Sequence, residues 1–268
     1  MNILKVYPRK DHPGRYNYHI NYGVWDEVKG DRVILEEFNG KIENYDVVFL
    51  PMYARWTKHL TLLSKIKENN KIKKVLFDND SCYREFTDTF YDGFDFIFYR
   101  DLDKTRKAPV KTPSARLLWS IDPKKYTPVY GGKGVTFNCS VGNTYQLRKK
   151  IAKKVEPVKL SGDEYIKNLQ SHAGAIHTNS EILPMVRAKI LEIAGCGTEI
   201  ISNPSQYMDY YFPDSLITYF ETVPQLIDII KNFKPNIQVQ KELREIVEDS
   251  HTNKIRAKYI ITLLNKTL

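Results

Sequence analysis

Cysteine is scarce in this chain: three in 268 residues, Cys82, Cys139 and Cys196, widely separated and without C-x-x-C spacing. Such an odd, dispersed set supports neither a disulfide framework nor a zinc site, and it fits a reducing cytosol. Also missing is any run of the roughly 20 apolar residues needed to cross a bilayer. The opening "MNILKVYPRK" meets charge after a short apolar start, too soon for a signal peptide, so neither secretion nor a membrane span is expected. No strand-like run is followed by G-x-G-x-x-G or by a P-loop, which removes the main support for dinucleotide oxidoreductases and kinases. The glycines of "VYGGKGV" open no helix. A serine-centred nucleophile elbow is absent too.

What is present is the material of a packed protein. Hydrophobic residues make up 42 % and aromatics 12 %, and the length suits two domains, each large enough for its own core. The net charge is +9, with the first half the more basic, which is compatible with a polyanion-binding surface or with a Lys-, Asn- and Ile-rich composition alone.

Short β-branched or aromatic runs recur at 2–7, 32–38, 45–50, 72–77, 94–99 and 115–120. Amphipathic stretches separate them, as in "RWTKHLTLLSKIKENN", where Trp56, Leu60, Leu63 and Ile66 fall at helical spacing. Strand, helix, strand repetition predicts parallel pairing through right-handed crossovers. The alternation breaks over 104–133, a stretch rich in Pro, Lys and Gly that reads as a connection between domains. It restarts with a strand at 134–141, a helix at "TYQLRKKIAKKV", a strand at "GAIHT", a helix at "LPMVRAKILEIAG", strands at "TEIIS" and "SLITYF", and three closing helices. The expected fold is α/β, two Rossmann-like domains over 1–117 and 118–268 facing each other across a cleft. Ligands of open α/β sheets bind beyond the carboxyl ends of the strands.

The order "LLWSIDPKKYTP", "GVTFNCSVGNTYQLRKKI", "VRAKILEIAGCGTEIIS", "VPQLIDII" and "HTNKIRAKYIITLL" resembles the donor-binding domain of GT-B glycosyltransferases. Within that class it is similar to the group 1-like enzymes that include spore-maturation glycosyltransferases, and to the phage DNA β-glucosyltransferases. The resemblance covers residues 117 to 268. It implies a nucleotide-sugar donor, a UDP-sugar first among them, with no further cofactor, and a last helix that crosses back onto the first domain.

A nucleotide sugar presents a ribose diol, a diphosphate and a hexose. A carboxylate on a helix can accept both ribose hydroxyls, and glycine beyond it lets backbone approach closely. Glu192, followed by Gly195 and Gly197, suits that role, and the resemblance implies the same contact. The diphosphate calls for cations and backbone N–H donors, which also stabilise the departing nucleoside diphosphate. Candidates are Ser140, Gly142 and Asn143 after the first strand of the second domain, with Arg148 on the next helix, where the resemblance also implies an arginine. Three residues before the glutamate the family places Arg; this chain has Lys189, with Arg187 two residues earlier. Lys189 shares a helix face with Glu192 and is favoured over Arg187.

The retaining pattern of two glutamates eight apart is missing, since Pro184 stands eight before Glu192. An inverting reaction is therefore expected, with a general base from the first domain that deprotonates the acceptor hydroxyl, and no metal is expected in it. Asp78 is the first candidate, with Asp80, Asp11 and His19 behind it; loop aspartates also commonly cap turns. Asp78 and Asp80 form a D-x-D of the kind that holds metal in GT-A enzymes, but a second Rossmann-like half with donor motifs is not a GT-A feature.

For the acceptor, the first domain offers Arg15, Tyr18, Tyr22, Trp25, Arg106, Lys107 and Lys111, cations for phosphates and aromatics for stacking on extruded bases. Double-stranded DNA bearing a hydroxymethylated base is the expected acceptor. A cell-surface glycan or protein is the alternative, as is a non-catalytic nucleic-acid-binding module on a reduced GT-B frame. Tyr18, Tyr22 and Trp25 also recur near helical spacing, which suits plain core residues.

Overall fold

A computed structural model describes residues 1–8, 23–51, 59–78, 91–100, 111–139, 146–179 and 186–268. Contacts divide the chain into two units. Of the described residues, those up to Leu118 together with Arg256–Leu268 form one, and Trp119–Ile255 the other.

The first unit is built on six parallel strands, β1 (Ile3–Tyr7), β2 (Asp31–Ile34), β3 (Val47–Pro51), β4 (Lys73–Asp78), β5 (Phe96–Tyr99) and β6 (Ser114–Arg116), in the order β2-β1-β3-β4-β5-β6. Side chains alternate across a strand, and the two faces are distinct here. Leu4, Val6, Val48, Leu50, Leu76 and Ile97 join Leu63 and Ile66 of helix α1 (Leu60–Glu68) in one buried cluster. On the other set of positions Tyr7, Phe49, Phe77 and Phe98 form an aromatic chain, with Trp25 in T-shaped contact with both Tyr7 and Phe77. Trp25 is thus a core residue, fully buried, rather than a stacking platform for bases. Lys5 lies buried between these aromatics because its ammonium donates to the carbonyls of Trp25 and Val28, at 3.0 and 2.7 Å, at the end of the turn that follows helical residues 23–26.

The second unit carries β7 (Val135–Thr136), β8 (Gly174–His177), β9 (Glu199–Ser202) and β10 (Ile217–Tyr219), all parallel, in the order β10-β9-β8-β7. Helices α2 (Gln146–Ala152), α3 (Gly162–Ser171), α4 (Lys189–Gly195), α5 (Val223–Asn232) and α6 (Ile237–Ser250) accompany the sheet. Phe137, Ile176, Ile201 and Phe220 meet Ile151 of α2 and Leu226 of α5 in its core. Caps fix two of these helices: Thr222 accepts from the backbone N–H of Gln225, and Asn236 from those of Gln238 and Val239. Helix α7 (Asn253–Thr267) starts in this unit and from Arg256 onward belongs with the first.

Parallel α/β sheets are as expected, but several elements differ in extent. The run 32–38 is not one strand: β2 stops at Ile34 and a 3-10 turn, Leu35–Glu37, follows. Its two glutamates stay in water while Leu35 turns inward. The strand expected over 134–141 is only two residues long, with an isolated bridge between Asn138 and Val158 beyond it. The helix expected from 183 begins at Lys189. Helix α3 was not foreseen, although Asp163 and Glu164 in its first turn and Tyr165, Ile166 and Leu169 on its buried face carry the pattern.

Candidate functional site

The carboxyl ends of β7, β8 and β9 are dense in buried polar groups. Asn138 follows β7; His177 ends β8, with Thr178 and Asn179 behind it; Ser202 ends β9. Asn179 ties two of these ends together. Its backbone N–H donates to Asn203 Oδ1 at 2.7 Å, and its side-chain amide donates to Asn203 O and Ser202 Oγ at 2.9 and 3.3 Å.

Helix α4 delivers its charges to this rim. Every residue of α4 from Ile190 to Gly195 is buried, so the short helix is held by packing on all sides rather than by propensity. Its far end is pinned by Arg244 of α6, whose guanidinium donates to the carbonyls of Gly195, Tyr126 and Pro123. A Cβ added at Gly195 would lie 2.7 Å from Ile121 Cδ1, and Gly197 holds φ +73°, so the two glycines allow a close turn that larger residues would obstruct.

Glu192 is 4 % exposed and held from two sides. Tyr126 donates to Oε1 at 3.1 Å and Tyr165 to Oε2 at 2.9 Å. Burial raises its pKa, and the bond from Tyr165, the charge of Lys189 and the bond from Tyr126 work against that rise. Each carboxylate oxygen keeps a second lone pair after these bonds. Lys189, one turn before, donates from Nζ to Asn138 O, and its ammonium stands 5.2 Å from the Tyr165 ring centroid. Desolvation brings the Lys189 pKa down to about 8; Glu192 pulls it up and Arg148 pushes it lower.

Arg148 on α2 reaches the end of β8, where Nε donates to Thr178 Oγ1 at 2.6 Å and Nη2 to Thr178 O at 3.3 Å. His177 lies among these cations. Burial lowers its pKa to about 3, and the charges of Lys189, Arg148 and Arg187 add to that fall against the bond with Asn179. An imidazole so placed is neutral at pH 7, and among the described residues its Nδ1 has no hydrogen-bond partner. Among the described residues, Lys189, Arg148 and Arg187 bring positive charge to the strand ends, with Glu192 one turn along α4 from Lys189.

The structure brings Arg148, Arg187, Lys189 and Glu192 together in this unit, with Gly197 at the turn beyond α4. Ser140, Gly142, Asp11, His19, Asp80, Arg15, Tyr18, Arg106 and Lys107 lie outside the described residues. Lys111 is exposed. Asp78 ends β4 as the sequence suggests, yet it is 1 % exposed and accepts the Tyr91 hydroxyl at 2.8 Å. That partner gives the carboxylate a structural engagement instead of an open face for an acceptor. Among the described residues no three His, Cys, Asp or Glu side chains group as a metal site, and no helix is long and apolar enough to cross a membrane.

Sequence reasoning passed over Tyr126, Tyr165, His177 and Asn179. The signal for the last two was the polar run His177, Thr178, Asn179 directly after an apolar strand. Nothing in the local sequence marks the two tyrosines, whose partners lie 66 and 27 residues away.

The parallel sheets put this chain in the α/β class, and solved glycosyltransferase structures agree with it in fold. Alr3699/HepE from Anabaena in complex with UDP-glucose aligns over 99 % of this chain and 100 % of its own, at 11 % identity and TM-score 0.64. The phage T4 beta-glucosyltransferase aligns over 100 % and 99 %, at 11 % identity and TM-score 0.56. Sucrose-phosphate synthase from Thermosynechococcus elongatus aligns over 83 % and 74 %, at 9 % identity and TM-score 0.59. No curated protein matches the sequence. The chain belongs to the glycosyl transferase-like family, whose sequence profile matches residues 128–262.

Proposed function

We propose that this glycosyltransferase takes its sugar from a nucleoside diphosphate sugar, a UDP-sugar first among them, held at the carboxyl ends of β7, β8 and β9. The observation that carries the reading is the convergence of Lys189, Arg148 and Arg187 around a neutral His177, with Glu192 one turn along α4. A cluster of cations at strand ends suits an anion, and a diphosphate supplies one. Glu192 would accept ribose hydroxyls on the lone pairs that Tyr126 and Tyr165 leave open. The Lys189 and Arg148 charges would stabilise the diphosphate as it departs. The three HepE complexes, with UDP, with UDP and glucose, and with UDP-glucose, support a uridine donor by likeness of fold.

The transfer we propose is inverting and needs no metal. The acceptor oxygen attacks the anomeric carbon, the bond from that carbon to the diphosphate oxygen breaks, the proton passes to a general base, and the nucleoside diphosphate leaves with the electron pair. Asp11, His19 and Asp80 are the candidates for the base, with Asp78 behind them because Tyr91 already engages it. For the acceptor we propose a hydroxymethylated base in double-stranded DNA, on the +9 charge and the likeness in fold to the phage T4 enzyme. A glycan or protein acceptor is the competing reading.

A melting screen against nucleoside diphosphate sugars, followed by mass spectrometry of hydroxymethylated DNA incubated with the best donor, tests both levels. A rise in Tm with one donor supports the donor reading. Sugar mass on the DNA supports the acceptor; transfer only to a glycan or protein replaces it. No donor-dependent shift, together with salt-sensitive DNA binding, would favour the non-catalytic module instead.

A further inference from the structure

We propose that Tyr165 is a positioning residue of the donor site, its hydroxyl aiming the Glu192 carboxylate while its ring supports the Lys189 ammonium. The inference rests on the donor reading above. Tyr165 sits on α3, the helix the sequence did not reveal, and is 5 % exposed. Its hydroxyl donates to Glu192 Oε2 at 2.9 Å, and the ammonium of Lys189 stands 5.2 Å from its ring centroid, within the reach of a cation–π contact. One side chain thus touches both charges that the nucleotide would meet, and it fixes their spacing from a helix that carries neither.

Tyr126 engages the opposite oxygen at 3.1 Å, so the carboxylate cannot rotate without breaking a bond. Two tyrosine donors on two oxygens leave a second lone pair on each, the number that a ribose diol fills. Among the described residues, the groups facing Glu192 are Tyr165 of α3, Tyr126 and Lys125 of the segment before β7, Cys196 just beyond α4, and Lys189 of its own helix. Those facing Lys189 are Glu192, Arg148 of α2, Cys139, His177 of β8 and the Tyr165 ring. Burial favours the protonated acid at Glu192, and the Tyr165 hydroxyl is the foremost of the groups that hold it ionised. Without that hydroxyl the carboxylate would take up its proton at a higher pH, and donor binding would fail earlier on acidification.

The test compares full-length wild type, Tyr165→Phe and Tyr165→Leu by calorimetric titration with UDP and with UDP-glucose from pH 5 to 9, with Tm measured alongside. The phosphate of UDP titrates equally for all three proteins, so differences report on the protein. Tyr165→Phe should weaken UDP binding at pH 7.5 by about tenfold, the size expected for a lost hydrogen bond to a charged group. Its acid limb should move to higher pH, with the alkaline limb unchanged because the ring is kept. Tyr165→Leu should in addition lose affinity at a lower alkaline pH, since the support under Lys189 has gone. A Tyr165→Phe protein with wild-type affinity and an unmoved acid limb overturns the proposal, even if its Tm falls. A wild-type protein that binds neither UDP nor UDP-glucose overturns the donor reading, and this inference with it.

Discussion

Donor affinity should fall as pH rises through about 8, because the Lys189 ammonium loses its proton there. The pKa of Lys189 is lowered from 10.5, first by burial and then by Arg148, against the pull of Glu192 and Cys139. The sign follows from the form that binds phosphate: the cation is present below about 8 and is lost above it. With one such group, the charged fraction falls from about three-quarters at pH 7.5 to about one-tenth at pH 9, so the apparent Kd for UDP should rise about eightfold. The second phosphate pKa of the ligand, about 6, lies well below that range and leaves the phosphate charge constant. Isothermal titration in buffers of different ionisation enthalpy should show uptake of about half a proton per UDP bound at pH 8. Lys189→Arg should flatten the profile, since a guanidinium stays charged throughout. Equal affinity at pH 7.5 and 9, or the same slope in Lys189→Arg, would refute the assignment of Lys189 to the diphosphate.

Other expectations follow from the packing. Arg244→Met removes a fork that serves the carbonyls of Gly195, Tyr126 and Pro123; thermal unfolding should show a loss of about 3 kcal/mol, which Arg244→Lys should only partly restore. Gly197→Ala places a side chain at φ +73° with its Cβ 2.9 Å from Tyr130 Cε1, and should cost about 1–2 kcal/mol in urea unfolding. Trp25→Ala opens the aromatic core between Tyr7 and Phe77 and should cost about 3–5 kcal/mol, read by circular dichroism melting; a loss under 1 kcal/mol would contradict its place there.

The sequence made the parallel sheets legible because their central strands are buried on both faces. Runs such as Val47–Pro51 and Lys73–Asp78 read as apolar segments between helical patterns whatever their neighbours do. Boundaries were less legible where a tertiary contact decides them. Leu35 leaves the β2 ladder because a 3-10 turn buries it while Glu36 and Glu37 stay in water. Glu192 and Lys189 stood out through their spacing before two glycines. The partners that give them their properties did not, because Tyr126, Tyr165, Asn138 and Arg148 come from four separate segments of the chain. Arg148 was named for its place on the helix after β7, but its hold on Thr178 depends on how α2 lies against β8. Asp78 ends a strand, as its place after an apolar run predicts; its burial against Tyr91 is a long-range fact that no local pattern carries.

The central claim is that the carboxyl ends of β7, β8 and β9 hold the donor nucleotide, and a crystal structure with UDP measures it most directly. The account predicts diphosphate oxygens within about 3.2 Å of Lys189 Nζ and the Arg148 guanidinium, with ribose hydroxyls at Glu192. A nucleotide bound in the first unit, or bound with Lys189, Arg148 and Glu192 all untouched, would contradict it.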